Sequence, residues 1–182
     1  MARLLIVYAS KHGQTEKISN FISAELVQMG HFVDIFDVES IPETVSVKNY
    51  EGVIIGAPVY VSGFPAHLKK WVKSHSDILA IKPSGFFSVC LGVLENDESA
   101  QRDERHIVQK FFNETNWHPK QWTIFAGSIT YSKYNWFLKR IMHALAKKSG
   151  TDTEYDHDYE YTDWNKVHQF TENLLHDLSG PR

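Results

Sequence analysis

"RLLIVYASKHGQTEKIS", residues 3 to 19, passes from an apolar run through a polar loop with one glycine into helix-forming residues. The run Leu4 to Ala9 is continuous and rich in branched side chains, the pattern of a strand buried on both faces of a parallel sheet. After the loop, Ile18, Phe21, Ile22, Leu26 and Met29 recur at three- and four-residue spacing, and Gly30 stands where a C-terminal cap belongs. A strand that hands over to a helix within a few residues is the first half of a crossover between parallel strands.

Further along, the same alternation returns. "FVDIFDV" (32–38), "GVIIGAP" (52–58), "GFFSVCLG" (85–92) and "WTIFAGS" (122–128) read as strands, the third of all ending at Pro58. Helices are predicted over 66–75, with Leu68, Trp71 and Val72 on one face; over 100–114, with Ile107, Val108, Phe111 and Phe112; and over 164–178, with Trp164, Val167, Phe170 or Thr171, Leu174 and Leu178. Five strands alternating with helices imply an α/β three-layer sandwich around a parallel sheet with right-handed crossovers. Between the fifth strand and the last helix lies an inserted segment, 129–162, with an additional helix near 135–148 that a five-stranded plan does not require. The expectation is one domain, 1–182, because 182 residues suit a single sizeable core.

Charge and cysteine content narrow the setting. Nineteen basic and 22 acidic residues leave a net charge of -3, so no overall basic field points to nucleic acid. No acidic residue occurs from Thr115 to Thr151, where Lys120, Lys133, Lys139, Arg140, Lys147 and Lys148 collect; the sign then reverses from Asp152 to Asp163. The single cysteine, Cys90, excludes an internal disulfide and suits a reducing compartment. With neither a signal-peptide pattern nor an apolar run of membrane-spanning length, the expected location is cytoplasmic.

In open α/β sheets, ligands bind beyond the carboxyl ends of the strands. The first such turn here is Ser10, Lys11, His12, Gly13, Gln14 and Thr15. A helix beginning at Gln14 offers unpaired N–H groups and a positive dipole end, Ser10 and Thr15 add hydroxyls, and Gly13 lets the backbone close around an anion. Phosphate is the natural occupant. The loop is neither Gly-x-Gly-x-x-Gly nor Gly-x-x-x-x-Gly-Lys-[Ser/Thr], which disfavours dinucleotides and triphosphates. A plain N-cap is the competing reading, since Ser and Thr begin helices everywhere.

Ser10-x-His12-Gly13-x-Thr15 resembles the flavodoxin signature [Thr/Ser]-x-Thr-Gly-x-Thr. With "FAGSITYSKYNWF", "KKSGTDT" and "YTDW", the chain resembles over its whole length the flavodoxin-like menaquinone-dependent protoporphyrinogen IX dehydrogenase family. His12 replaces the usual threonine, and 93–105 is acidic where a more basic stretch is expected. The resemblance implies a flavodoxin-like sheet of order 2-1-3-4-5 and FMN as cofactor, its phosphate in the Ser10–Thr15 loop. The ring would then lie between Pro58, Val59, Tyr60 and Val61 on one side and Leu91, Gly92 and Val93 on the other. Tyr60 would stack on the ring or merely pack. The implied reaction oxidises a porphyrinogen to protoporphyrin IX with a membrane quinone as acceptor, the hydride passing to the flavin without a protein nucleophile.

The inserted helix sets Trp136, Phe137, Ile141, Met142 and Leu145 among Lys139, Arg140, Lys147 and Lys148. Such a helix can lie on an anionic membrane through 134–148, contact a carboxylated substrate, or pack on the core. Lys133, Trp136, Phe137, Lys139 and Arg140 are the candidate substrate or membrane contacts. His157 between Asp156 and Asp158 lacks a second set of metal ligands, Cys90 reads as a small packed hydrophobe, and no Gly-x-Ser-x-Gly elbow is present. Two other functions stay open: a flavodoxin-type electron carrier without an organic substrate, and an interaction module that has lost the cofactor.

Overall fold

A computed structural model of the chain describes residues 1–60, 63–90, 98–129 and 159–179. Along the chain run β1 (Arg3–Tyr8), α1 (Gln14–Gln28), β2 (Phe32–Asp37), β3 (Gly52–Pro58), α2 (Ala66–Ser74), α3 (Ser76–Ile81) and β4 (Ser84–Cys90). They are followed by α4 (Glu98–Thr115), β5 (Gln121–Ala126), the short strands β6 (Ser128–Ile129) and β7 (Tyr159–Glu160), and α5 (Trp164–Ser179). The five longer strands form one sheet of order β2-β1-β3-β4-β5, parallel at every pairing. β6 and β7 pair antiparallel as a separate ribbon.

Side chains along each strand alternate between two cores. On one face Leu4, Ile6, Ile54, Phe87, Val89 and Phe125 pack with Ile18, Ile22 and Leu26 of α1 and Val167, Phe170 and Leu174 of α5. On the other, Leu5, Val7, Ile55, Ala57 and Phe86 meet Leu68 and Val72 of α2 and Val108, Phe111 and Phe112 of α4. Trp117 is completely buried there, its indole N–H donating to Ser84 Oγ at 3.2 Å. This is the expected three-layer α/β sandwich: both faces of the sheet are apolar, so each needs a helical cover.

Several local expectations shift. The predicted helix 66–75 is followed at once by α3, because the chain turns at His75, whose ring stacks on Trp71 with centroids 4.3 Å apart. β2 is only partly buried, as an edge strand must be. Met29 leaves the apolar stripe: it is the C-cap of α1 and is 40% exposed. Gly30 follows at φ 87°, with Gly30 N–H donating to Val27 O and His31 N–H to Leu26 O, the pair of bonds that closes a Schellman motif. Both Phe170 and Thr171 are buried, so α5 turns a broader face inward than one residue per turn. β5 stops at Ala126, and Ser128 belongs to the β6–β7 ribbon. The inserted helix near 135–148 lies outside the described residues.

Candidate functional site

The switch in winding direction falls between β1 and β3, where the connection after β1 leads to β2 on one side and the rest of the sheet extends on the other. The loop 10–13 and the start of α1 sit at this point. β1 fixes them because Ala9 N–H donates to Gly56 O and Tyr8 O accepts from Val38 N–H, so the chain leaves the sheet held from both neighbours.

Gly13 is the N-cap of α1, with φ 95° and ψ -14°, and no side chain caps the helix. Glycine tolerates this left-handed state, and with no side chain it cannot cap the first turn itself. Gly13 O accepts from Lys17 N–H at 2.9 Å, which starts the helical ladder and leaves the amides of Gln14, Thr15 and Glu16 ahead of it. Ser10 Oγ accepts from Gly13 N–H at 3.1 Å, so the hydroxyl keeps its own proton to donate outward. Thr15 is buried beneath the turn, His12, Gly13 and Gln14 are half-buried, and Lys11 is exposed. This donor set suits a phosphate: main-chain N–H groups, a hydroxyl proton and two potential cations around one close turn. The plain N-cap reading fits less well, since the residue at the cap is Gly13 and the Ser10 hydroxyl bonds within the loop.

The Gln14 side chain points elsewhere. Its Nε2 donates to Thr162 Oγ1 at 2.8 Å and to Glu160 Oε1 at 3.2 Å. Gln14 therefore faces the candidate phosphate position with its backbone amide, and its carboxamide braces the loop against the segment before α5. Next to the loop, burial first and then the Glu16 and Asp37 carboxylates hold the Tyr8 hydroxyl above the ordinary tyrosine pKa, so it stays protonated.

At the end of β3, Tyr60 and Gly63 exchange reciprocal backbone bonds, Tyr60 N–H to Gly63 O at 3.0 Å and Gly63 N–H to Tyr60 O at 2.9 Å. Gly63 has φ 97°, and Pro58, Val59 and Tyr60 are half-buried at this rim. Val59 N–H donates to Val89 O, which draws the ends of β3 and β4 together. Val61, Leu91, Gly92 and Val93 lie outside the described residues, as do Lys133, Trp136, Phe137, Lys139, Arg140 and His157.

Two features escaped the sequence reading. Cys90, at the last position of β4, donates its Sγ–H to Glu104 Oε1, and Glu104 is buried to 6% exposure. A signal for it existed: Glu104 stands in the stripe continued by Val108, Phe111 and Thr115, where an acid is out of place. The other is the bonding of Gln14 to Glu160 and Thr162, for which no local pattern exists. Among the described residues no group of three His, Cys, Asp or Glu could hold a metal ion.

The flavodoxin domain model matches residues 5–156 of this chain. Protoporphyrinogen IX dehydrogenase (quinone) of Escherichia coli strain K12 is 29% identical over 179 residues, 98% of each chain. The Leishmania major protein of the same name is 29% identical over 173 residues, 94% of this chain and 74% of its own. Among solved structures, oxidised flavodoxin 1 from Bacillus cereus superposes with a TM-score of 0.57 at 14% identity, over 99% of both chains.

Proposed function

Because this chain belongs to the flavodoxin domain family, we propose that it is an FMN-dependent oxidoreductase that converts protoporphyrinogen IX to protoporphyrin IX with a quinone as electron acceptor. One observation carries the cofactor assignment. At the sheet's switch point a left-handed glycine cap leaves the first-turn amides of α1 without a side-chain cap, beside a hydroxyl that has a proton to give. Similarity along nearly the whole chain to proteins named for porphyrinogen oxidation supports the substrate.

In this reading the amides of Gln14, Thr15 and Glu16 hold the FMN phosphate, joined by the Ser10 hydroxyl and by Lys11 and His12. The His12 imidazole donates one N–H there and, when protonated, adds a charge that favours the phosphate dianion. Pro58, Val59, Tyr60 and Val61, with Leu91, Gly92 and Val93, border the ring. The bound flavin supplies two-electron acceptance at a carbon-bound hydrogen of the substrate. The protein binds and orients both partners. Lys133, Lys139 and Arg140 meet the substrate's propionates or lipid headgroups, and Trp136 and Phe137 the lipid boundary. No helix among the described residues is long and apolar enough to cross a membrane. In this reading the amphipathic sequence 134–148 makes the contact with a membrane-borne quinone.

The test is direct. Purified protein should be yellow and release FMN on denaturation, and under anaerobic conditions it should oxidise protoporphyrinogen IX when a quinone is supplied. A flavoprotein that reduces a partner enzyme but neither oxidises the porphyrinogen nor passes electrons to any quinone would be a carrier instead. Deletion of 134–148 should leave flavin binding intact and lower association with anionic liposomes; unchanged association would remove the membrane contact.

A further inference from the structure

The start of α1 is tied to a part of the chain more than 140 residues away. Thr162, 8% exposed, donates its hydroxyl proton to Ala126 O at the end of β5 and accepts from Gln14 Nε2, both at 2.8 Å. Because the threonine proton is committed to a carbonyl, its oxygen can only accept from Gln14, and Glu160 Oε1 takes a second contact from the same NH2 group. The orientation of the carboxamide is therefore fixed by its partners. Lys17, one turn further on, is held to the same side: its Nζ is 2.5 Å from Glu160 Oε2 and 5.3 Å from the Trp164 ring centroid. Phe21 packs on that ring with centroids 4.8 Å apart. Tyr161 N–H donates to Gly127 O, which anchors the bracing segment to the sheet's edge.

The first turn of a helix frays most readily, since its amides have no partners within the helix. Here that turn is the proposed anion site, and its first residue is braced across the sheet to the end of β5. We infer that Thr162 and Gln14 are positioning residues for the phosphate subsite: the Ala126–Thr162–Gln14 relay holds the amides of α1 in place before the anion arrives. The cost of ordering the turn is then met on folding and not on binding. Glu160 contributes by engaging Lys17 as well, so anion recognition rests on the loop's amides, the Ser10 hydroxyl, Lys11 and His12. The inference deepens the FMN reading and rests on it.

FMN and riboflavin share the ring and differ at the phosphate, which separates positioning of this subsite from a general role in the fold. Thr162→Val keeps the branched shape and removes both bonds. It should raise the FMN dissociation constant about tenfold, the scale of one lost hydrogen bond, and leave riboflavin affinity unchanged. Thr162→Ser should restore FMN binding, and Gln14→Leu, which removes the same carboxamide bonds from the other side, should reproduce the Thr162→Val loss. Equal weakening of FMN and riboflavin, no weakening of either, or failure of serine to rescue would each overturn the inference. If the wild-type protein binds no FMN, the proposed function fails, and the apoprotein's melting temperature in inorganic phosphate still decides this point. Phosphate should raise it in the wild type and raise it less in Gln14→Leu; equal shifts, or none in the wild type, would overturn the assignment.

Discussion

Gly13 holds φ 95° at the cap of α1, a backbone state in which a Cβ crowds the neighbouring carbonyl. Gly13→Ala should cost ~1–2 kcal/mol of stability in a denaturant melt. It should weaken FMN by a larger factor than riboflavin, because the amides behind the cap move with it. An alanine variant with wild-type affinity and stability would mean that the cap is not needed in this conformation. Glycine in the loop was legible, since a turn that tight after a strand needs it. The engagement of the Gln14 carboxamide was not, because its partners lie 146 and 148 residues away. Glu104 is an intermediate case: its place in the apolar stripe of α4 marked it as unusual, yet only the packing of α4 on β4 brought it to Cys90.

At the level of elements, β3 and β4 are packed so closely that a Cβ on Gly56 would lie 2.3 Å from the Phe87 ring. That ring cannot step aside, being completely buried and 5.7 Å and 6.3 Å, centroid to centroid, from Phe125 and Phe170. Gly56→Ala should therefore destabilise by about 1–3 kcal/mol, the usual range for overpacking, read from chemical denaturation. α1 and α5 are joined by an ion pair, His168 Nδ1 at 2.5 Å from Glu25 Oε1, with Glu172 Oε1 3.4 Å from Nε2 on the other side. The hydrogen bond to Glu25 comes first, followed by its charge and that of Glu172, and together they raise the His168 pKa. A raised folded pKa stabilises fully below the unfolded value of about 6.5, and the contribution fades as pH rises through the folded value. Stability measured across this window should fall with rising pH more steeply in the wild type than in His168→Gln, and high salt should flatten the difference, since the imidazole is half-exposed. Parallel curves would show that the pair is not charged in solution. Element type and approximate bounds could be read from periodicity; the break at His75 and the β6–β7 ribbon could not, because a two-residue strand carries no period.

For the molecule as a whole, a ligand that binds only the folded state stabilises it by mass action. FMN at a hundredfold excess over its dissociation constant should add ~2.7 kcal/mol, and for a chain of this size raise the melting temperature by about 5 to 10 °C. Riboflavin should do less at equal concentration, and a protein whose melting point ignores both would not be a flavoprotein. The succession of strands and helices, the glycine turn and the doubly covered sheet are all written in the order of the residues, because burial repeats with the period of each element and leaves its trace residue by residue. What Gln14, Thr162, Glu104 and His168 do emerges from the packing alone. Their partners are chosen by strand order and by the stacking of α1, α4 and α5 on the sheet. Those relations join residues far apart in the chain, and no local pattern of side chains records them.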